Sequence, residues 1–338
     1  MKRDEVMEKK IWKTMFQDFL ELLSAAFYSF HLFIHIYSAI LLLYIAFWTN
    51  YWPIVAIAAC WMSYDYKAPS RGGRQVDAVK RFPIWKYFNN YFPIRLVKTA
   101  DLDPKRNYIF CTHPHGVICT SNVAHFILGY SKASQLFPGL KFHTATLNIN
   151  FCFPILRDYA LALGFISASK DSLMYLLRDN QGGNVVNLMI GGSSEAYFTE
   201  PGDYRIILNK RKGFIRIALN TGCSLVPVFC FGENDTLQLV FPKPDSIMGI
   251  LQDWFRRLTR VSLCFPVGRS WLLTCVPKRT PMVTVVGEPI NIPKITKPSE
   301  EDIEYYHSIY KEALMRLFEE SKFQYTSNPT NTKLIIVG

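Results

Sequence analysis

Asn107-Tyr-Ile-Phe-Cys-Thr-His-Pro-His-Gly116 joins a short apolar run to a polar elbow carrying two imidazoles. Residues 107–112 have the β-branched and aromatic content of a buried strand. Pro114 bars a further ladder donor and fixes the backbone between His113 and His115, while Gly116 permits a sharp turn or close approach to a ligand. The end of such a strand is where open α/β sheets place their ligand sites. Imidazole is the side chain best suited to take a proton near neutral pH.

Three readings of the elbow compete: surface-turn histidines without chemistry, a metal site, and a general base. Cys111, His113, His115 and Cys119 are metal-ligand types. They are too close together for an ordinary zinc finger, and no second Cys/His pair follows at finger spacing, so no metal is expected. The rest of the chain decides for the base.

Of the 338 residues, 49% are hydrophobic, 15% are aromatic, and the mean hydropathy is +0.07. So much apolar material implies a membrane or a large lipid pocket. The net charge of +11 suits an anionic partner such as a phospholipid surface or a polyphosphate co-substrate. Nucleic acid is not expected as a partner, because no basic block interleaved with aromatics and no zinc-finger or RNA-recognition signature occurs. The eight cysteines are scattered, mostly in apolar runs, as reduced buried thiols are; the soluble part is therefore expected to face the cytosol.

Residues 1–21 mix charges of both signs around Trp12, Phe16, Phe19 and Leu20, the pattern of an amphipathic helix at a membrane surface. From Leu22 to Tyr64 the chain carries no Asp, Glu, Lys or Arg. As helix that run would extend roughly 64 Å, whereas one crossing of a hydrocarbon core needs about 20 residues. A break at Thr49-Asn50-Tyr51-Trp52-Pro53, and basic residues on both flanks, predict a hairpin that enters and leaves the membrane on its cytosolic side. His31 and His35, four apart on the first arm, are read as polar side chains turned toward a neighbouring helix.

Residues 65–338 read as a cytosol-facing α/β domain. An aromatic-rich helix at 85–93 is expected at the bilayer surface. Strands are predicted at 107–112, 164–167, 185–190, 225–231 and 282–286, and helices at 171–179 and 212–221, the latter closed by Gly222. Ser299 caps a last helix with Asp302 in capping-box position. This alternation argues a mostly parallel sheet covered by helices. The segment 247–261 puts Ile247, Leu251, Trp254, Leu258 and Val261 on one face and Arg256, Arg257 and Arg260 near the other; interfacial and core-packed placements are equally compatible with it.

Further landmarks follow in order. Gly191-Gly-Ser-Ser-Glu195 sets glycines and a carboxylate directly after a strand. Asn209-Lys-Arg-Lys-Gly-Phe214 is a basic cluster opening a helix, suited to phosphate. A strand ending in His, then Gly164-Phe-Ile, then G-G-x-x-E, then Val226-Pro-Val resembles the glycerolipid acyltransferases with an H-x-x-x-x-D motif. The Asp is absent here, because Ile118 stands five residues after His113.

The closer resemblance is to the type 2 diacylglycerol/monoacylglycerol acyltransferase family, which includes the wax-alcohol acyltransferases. It is carried by Tyr91-Phe-Pro93, His113-Pro-His-Gly116, Arg157 with Gly164, Gly191-Gly192 with Glu195, Arg211-Lys-Gly-Phe214, Val226-Pro227, Phe231-Gly-Glu-Asn234 and Val285-Val-Gly-Glu-Pro-Ile290. Phe265-Pro-Val-Gly-Arg269 and Ser167-Ala-Ser169 depart from the family pattern, which bears on the acceptor more than on the reaction.

The resemblance implies an α/β fold with an N-terminal membrane-embedded helical hairpin and a glycerolipid-acyltransferase-like domain. It implies an enzyme of the endoplasmic reticulum membrane and lipid droplets that moves an acyl group from acyl-CoA, a co-substrate, to a neutral-lipid hydroxyl. Diacylglycerol is the first choice of acceptor; monoacylglycerol or a long-chain alcohol is the alternative. No bound cofactor is expected, and a homo-oligomer is compatible with the sequence. His113, directly after the strand, is the first choice of general base; His115 is the other candidate, or orients the pair. Glu195 would fix the imidazolium in place of the missing Asp. N–H groups of Gly191, Gly192 or Gly116 would hold the oxyanion. Pro114, Arg157, Arg211, Lys212 and Gly213 complete the expected substrate-binding set, with Arg211 and Lys212 on the CoA phosphates. Cys111 or Cys119 as a covalent nucleophile is a minor alternative. The rival class is a non-catalytic lipid-binding protein of the same fold. Asn234-Asp-Thr236 is a glycosylation sequon, and a glycan there would overturn the cytosolic assignment.

Overall fold

A strand buried on both faces belongs in the middle of a parallel sheet. β2 (Tyr108–His113) is buried along its whole length and pairs in parallel with β5 (Asn184–Met189) on one side and β8 (Ser224–Phe231) on the other. The computed structural model in which this is seen describes residues 2–179, 181–240, 245–259, 265–270 and 275–338. Its seven-stranded sheet runs β1 (Ile94–Lys98), β11 (Met282–Val286), β8, β2, β5, β3 (Lys141–Thr146), β4 (Phe165–Ser167). Every pairing is parallel except that of β11 with β8. The chain is thus α/β with a mostly parallel sheet, as expected.

Side chains alternate across a strand, and β2 shows what this does. Ile109 and Cys111 pack with Phe229 beneath the helix Glu300–Tyr325, against Tyr310, Leu314 and Phe318. Phe110 packs on the other face with Phe126, Phe137 and Phe142. Ser299 and Asp302 close the expected capping box, and Gly222, at φ 74°, ends the helix Gly213–Thr221. β1, β3, β6 (Thr199–Glu200), β7 (Asp203–Ile207), β9 (Gln238–Val240), β10 (Phe265–Val267) and β12 (Leu334–Val337), which pairs in parallel with β7, were not expected. Lys141-Phe-His-Thr-Ala-Thr146 shows why, since its polar residues hide a strand that its neighbours bury.

The N-terminal region differs from expectation. Helix α1 (Lys2–Trp48) passes through residue 21 without a break, and α2 (Trp52–Tyr64) follows the expected interruption at 49–51. Among the described residues no single helix is long and apolar enough to cross a membrane; Trp12–Phe30 and Phe33–Trp48 form a pair bent by 58° that meets the requirement together. Before the bend α1 is part of the protein body. Glu21, Ser24, Ala25 and Ser29 are buried, Glu21 pairs with Arg279, and the Tyr28 ring lies 4.7 Å from that of Phe88.

The helix Ile84–Tyr91, expected at a bilayer surface, is therefore core. Its Trp85, Phe88 and Tyr91 are buried, because α1 covers its aromatic face. After the bend Leu41, Tyr44 and Phe47 are exposed, and α2 has no buried residue. The helix Ile247–Thr259 is not core-packed, since Ile247, Leu251, Trp254 and Leu258 all face outward. Arg260, Val261 and Cys264 lie outside the described residues.

Candidate active site

Three adjacent parallel strands, β5, β2 and β8, end at one edge of the sheet. The His elbow follows β2. The loops after its two neighbours bring Glu195 and Glu233 to either side of it. Both carboxylates are buried, at 2% and 0% exposure, and burial on this scale requires satisfied oxygens. Glu195 Oε1 accepts the His115 backbone N–H at 2.6 Å, and Oε2 accepts that of Ile207 at 2.8 Å. Glu233 accepts the N–H groups of Thr120 and Ser121, both at 2.8 Å. The elbow is thus held at each end by a carboxylate on its backbone. The expectation that Glu195 would steady an imidazolium is not met in this geometry, where its oxygens accept main-chain donors.

Two glycines make these approaches feasible. A Cβ at Gly116, φ 62°, would stand 2.7 Å from Glu233 Oε1, and one at Gly191 would stand 1.8 Å from Glu195 Oε2. Gly192, at φ 64°, donates its own N–H to the Met189 carbonyl, so that donor is not available to an oxyanion. Pro114 is buried, and the His113–Pro114 bond is cis.

The two histidines diverge. His113 is the last residue of β2 and shares the parity of Ile109 and Cys111, so it points into the core. Its Nε2 lies 3.0 Å from the Tyr310 hydroxyl, which donates in turn to the Cys111 carbonyl. Full burial pushes its pKa down to about 3. His115 instead lines a cavity of about 470 Å³. Its Nδ1 is 2.9 Å from the Gly116 carbonyl. A carbonyl only accepts, so Nδ1 carries the proton and Nε2 is left basic. Burial lowers the pKa of this ring, and the bond to Gly116 partly restores it. Cys119 Sγ lies 3.5 Å from Nε2. Cys119 is the one non-glycine residue at positive φ among the described residues, at 54°. Burial, with Glu233 and Glu195 nearby, holds its thiol well above the usual range, which leaves it a poor nucleophile.

The cavity is predominantly apolar, in the size range that binds organic ligands. One wall comes from α1, through Tyr28, Ile34 and His35, and the Tyr28 hydroxyl donates to the Ile118 carbonyl. Trp85, Tyr159 and Phe165 continue it, and Gly192 and Arg211 close the end beside His115. Arg211 donates to the Gly191 carbonyl at 2.9 Å.

A family model described as Diacylglycerol acyltransferase matches residues 44–337. This chain belongs to the diacylglycerol acyltransferase family. It is 38% identical to mouse acyl-CoA wax alcohol acyltransferase 2 over 87% of its own length and 89% of that protein's. It is 40% identical to diacylglycerol O-acyltransferase 2 of Xenopus laevis, covering 82% of this chain and 78% of that one. Human 2-acylglycerol O-acyltransferase 3 is 40% identical, with 83% and 84% covered. Among solved structures, the 1-acyl-sn-glycerophosphate acyltransferase PlsC of Thermotoga maritima overlaps at 14% identity and a TM-score of 0.42, over 89% of this chain and 97% of that one.

The cavity of this diacylglycerol acyltransferase family member gathers His115, Gly192 and Arg211 of the expected residues, with Gly116, Gly191 and Glu195 directly behind them. Others lie elsewhere. Arg157 is 2% exposed and ion-paired to Asp65 at 2.9 Å, so it ties the end of α2 to the domain and is not part of the lining of this cavity. Lys212 pairs with Glu304 on the C-terminal helix, and Gly213 opens its helix into free space. Asn234 is buried and donates to the Asp203 carbonyl, so the folded chain offers no access to its sequon. Glu233 was missed. The signal was present, because Phe231-Gly-Glu-Asn234 follows an apolar strand as Gly191-Gly-Ser-Ser-Glu195 does.

The carboxyl of Glu195 carries a pH expectation. Burial pushes its pKa up to about 7, against the opposing backbone donors and Arg211. The unfolded value lies near 4.3. The folded protein therefore binds this proton more tightly than the unfolded chain. The associated stability is fully present below the unfolded value and is lost as pH rises through about 7. Denaturant titrations at pH 6 and 8 should show wild type losing on the order of 1 kcal/mol more than Glu195→Gln. Equal pH slopes for the two proteins would exclude this account.

Proposed function

We propose that this protein transfers a fatty acyl group from acyl-CoA to the hydroxyl of a neutral lipid, with diacylglycerol the acceptor and triacylglycerol the product. The observation that carries the proposal is the basic Nε2 of His115 on the wall of an apolar 470 Å³ cavity, its tautomer set by the Gly116 carbonyl. His115 Nε2 takes the proton of the acceptor hydroxyl as its oxygen attacks the thioester carbonyl. The tetrahedral adduct collapses and the C–S bond breaks. The proton passes from the imidazolium to the leaving CoA sulfur, which regenerates the base. Glu195 and Glu233 keep the elbow rigid through the step, and Arg211 is suited to an anionic part of the donor. The imidazole and the thioester carry every step, so no bound cofactor enters the scheme.

The deciding assay offers labelled oleoyl-CoA with diacylglycerol, monoacylglycerol or hexadecanol. Labelled triacylglycerol as the main product supports the reading. Wax ester or diacylglycerol as the main product keeps the reaction and changes the acceptor. No ester from folded protein would sink the proposal.

The same reading places the chain on the cytosolic face of the endoplasmic reticulum membrane and on lipid droplets. The outer part of α1, α2 and the exposed apolar face of Ile247–Thr259 support a shared lipid-facing surface. Leu251→Glu with Trp254→Glu should release protein from phospholipid vesicles at least about tenfold more readily, with its thermal transition unchanged. Undiminished vesicle binding would take this helix out of the membrane surface.

A further inference from the structure

A second cavity, about 220 Å³, lies behind the first, and its character is opposite. Lys141, at the start of β3, is on its wall, whereas Thr144 to Thr146 at the other end of that strand line the first cavity. The two share Leu128. Lys80, Arg81 and Lys141 converge on the second cavity, and Asp77 is the one carboxylate on its lining. Three cations less one carboxylate leave two positive charges, which matches the charge of a phosphomonoester. Among the described residues neither Arg81 nor Lys141 has an ion-pair partner that would neutralise it. Lys80 donates to Gln75 Oε1 at 3.2 Å, leaving donors to spare.

The second observation is His125. It is 3% exposed, it lines this cavity, and its Nε2 has no hydrogen-bond partner. A buried polar atom without a partner is costly, and a ligand that supplied one would relieve the cost. Burial holds the ring neutral at physiological pH, able to present an N–H to an oxygen. Burial lowers the Lys80 pKa; Asp77 opposes the shift, and Lys141 and Arg81 add to it.

We propose that this cavity binds a phosphate ester, held by Lys80, Arg81 and Lys141 with His125 donating from beneath. The proposal stands whether or not the first cavity performs acyl transfer. Two molecules could deliver the same chemistry: the phosphorylated nucleotide end of CoA, or the headgroup of an anionic phospholipid.

The test uses the full chain in detergent micelles, titrated with adenosine 3′,5′-bisphosphate in one arm and with phosphatidic acid in phosphatidylcholine micelles in the other. Wild type is compared with Lys141→Ala, with His125→Gln, and with Lys170→Ala as an exposed control. At least one probe should bind saturably, with Kd raised about tenfold or more by Lys141→Ala and unchanged by Lys170→Ala. Saturation by the bisphosphate assigns the site to the nucleotide end of CoA, and saturation by phosphatidic acid alone assigns it to a headgroup. Both sustain the proposal. His125→Gln keeps an N–H donor and should bind within a few-fold of wild type. Two outcomes would overturn the proposal: no saturable binding of either probe, or losses equal in Lys141→Ala and Lys170→Ala, which would mean diffuse attraction to a basic chain.

Discussion

His115→Ala should lower acyl-transfer kcat by about 10²–10⁴, the usual contribution of a positioned general base, with the protein still folded. The elbow's fold does not depend on this ring, because Glu195 holds the residue by its backbone N–H, which alanine keeps. His113→Ala should fail differently. It removes a fully buried ring and leaves the Tyr310 hydroxyl without that donor, at a cost on the order of 1–3 kcal/mol in stability. His113→Gln keeps a donor of similar reach and should retain activity within about tenfold per folded molecule. Thermal transitions and active-site-normalised rates separate the two. A dead, well-folded His113→Gln beside an active His115→Ala would reverse the roles given to the pair.

Arg157→Ala should destabilise the fold by about 2–3 kcal/mol, the cost of losing hydrogen bonds from a buried charged donor whose acid partners stay paired with Arg74. The guanidinium is 2% exposed and meets the Asp65 carboxylate at 2.9 Å and that of Asp158 at 3.4 Å. It also donates to the Asp65 backbone carbonyl, and Arg74 pairs with both acids. Trp61 of α2 donates to Asp158 at 3.2 Å. The cluster therefore anchors the end of α2 to the helix Pro154–Leu163. Arg157→Lys keeps the charge but loses the two-pronged geometry, and should fall between wild type and alanine. Denaturation in detergent measures the loss. The KM for acyl-CoA of the remaining folded enzyme should be unchanged. A stable Arg157→Ala with a raised KM would return this residue to the substrate.

What could be read in advance follows from periodicity and punctuation. The central strands announced themselves because a strand buried on both faces is apolar throughout. The capping box and the Gly222 terminus were legible because each needs particular residues at fixed offsets. β3 was not, since its burial is a gift of neighbours far away in the chain; Leu334-Ile-Ile-Val337 carried an apolar strand signal that was missed. The His elbow could be located, but not which ring faces the cavity. Strand alternation held that answer: His113 continues the series Ile109, Cys111 toward the core, and the direction of that face depends on where the C-terminal helix packs. Arg157 looked like an anion binder because its partner, Asp65, lies 92 positions away. Glu195 was recognised as a carboxylate beside the elbow, yet its grip on main chain instead of imidazole is a matter of ångströms that no spacing encodes.

The small sheet of β12 and β7 bears on how the molecule comes into being. Ile207, at the end of β7, supplies the N–H that holds one oxygen of Glu195, and β7 is held in turn by residues 334–337, with the Gly338 carbonyl accepting from Lys210. Translation delivers the elbow at residues 113–116 and this edge strand only at residues 334–337. The apolar helices and the His loop therefore leave the ribosome well before the strand that braces Glu195 is available. Until it arrives, the nascent chain holds its apolar helices beside an elbow whose Glu195 lacks the braced Ile207 N–H.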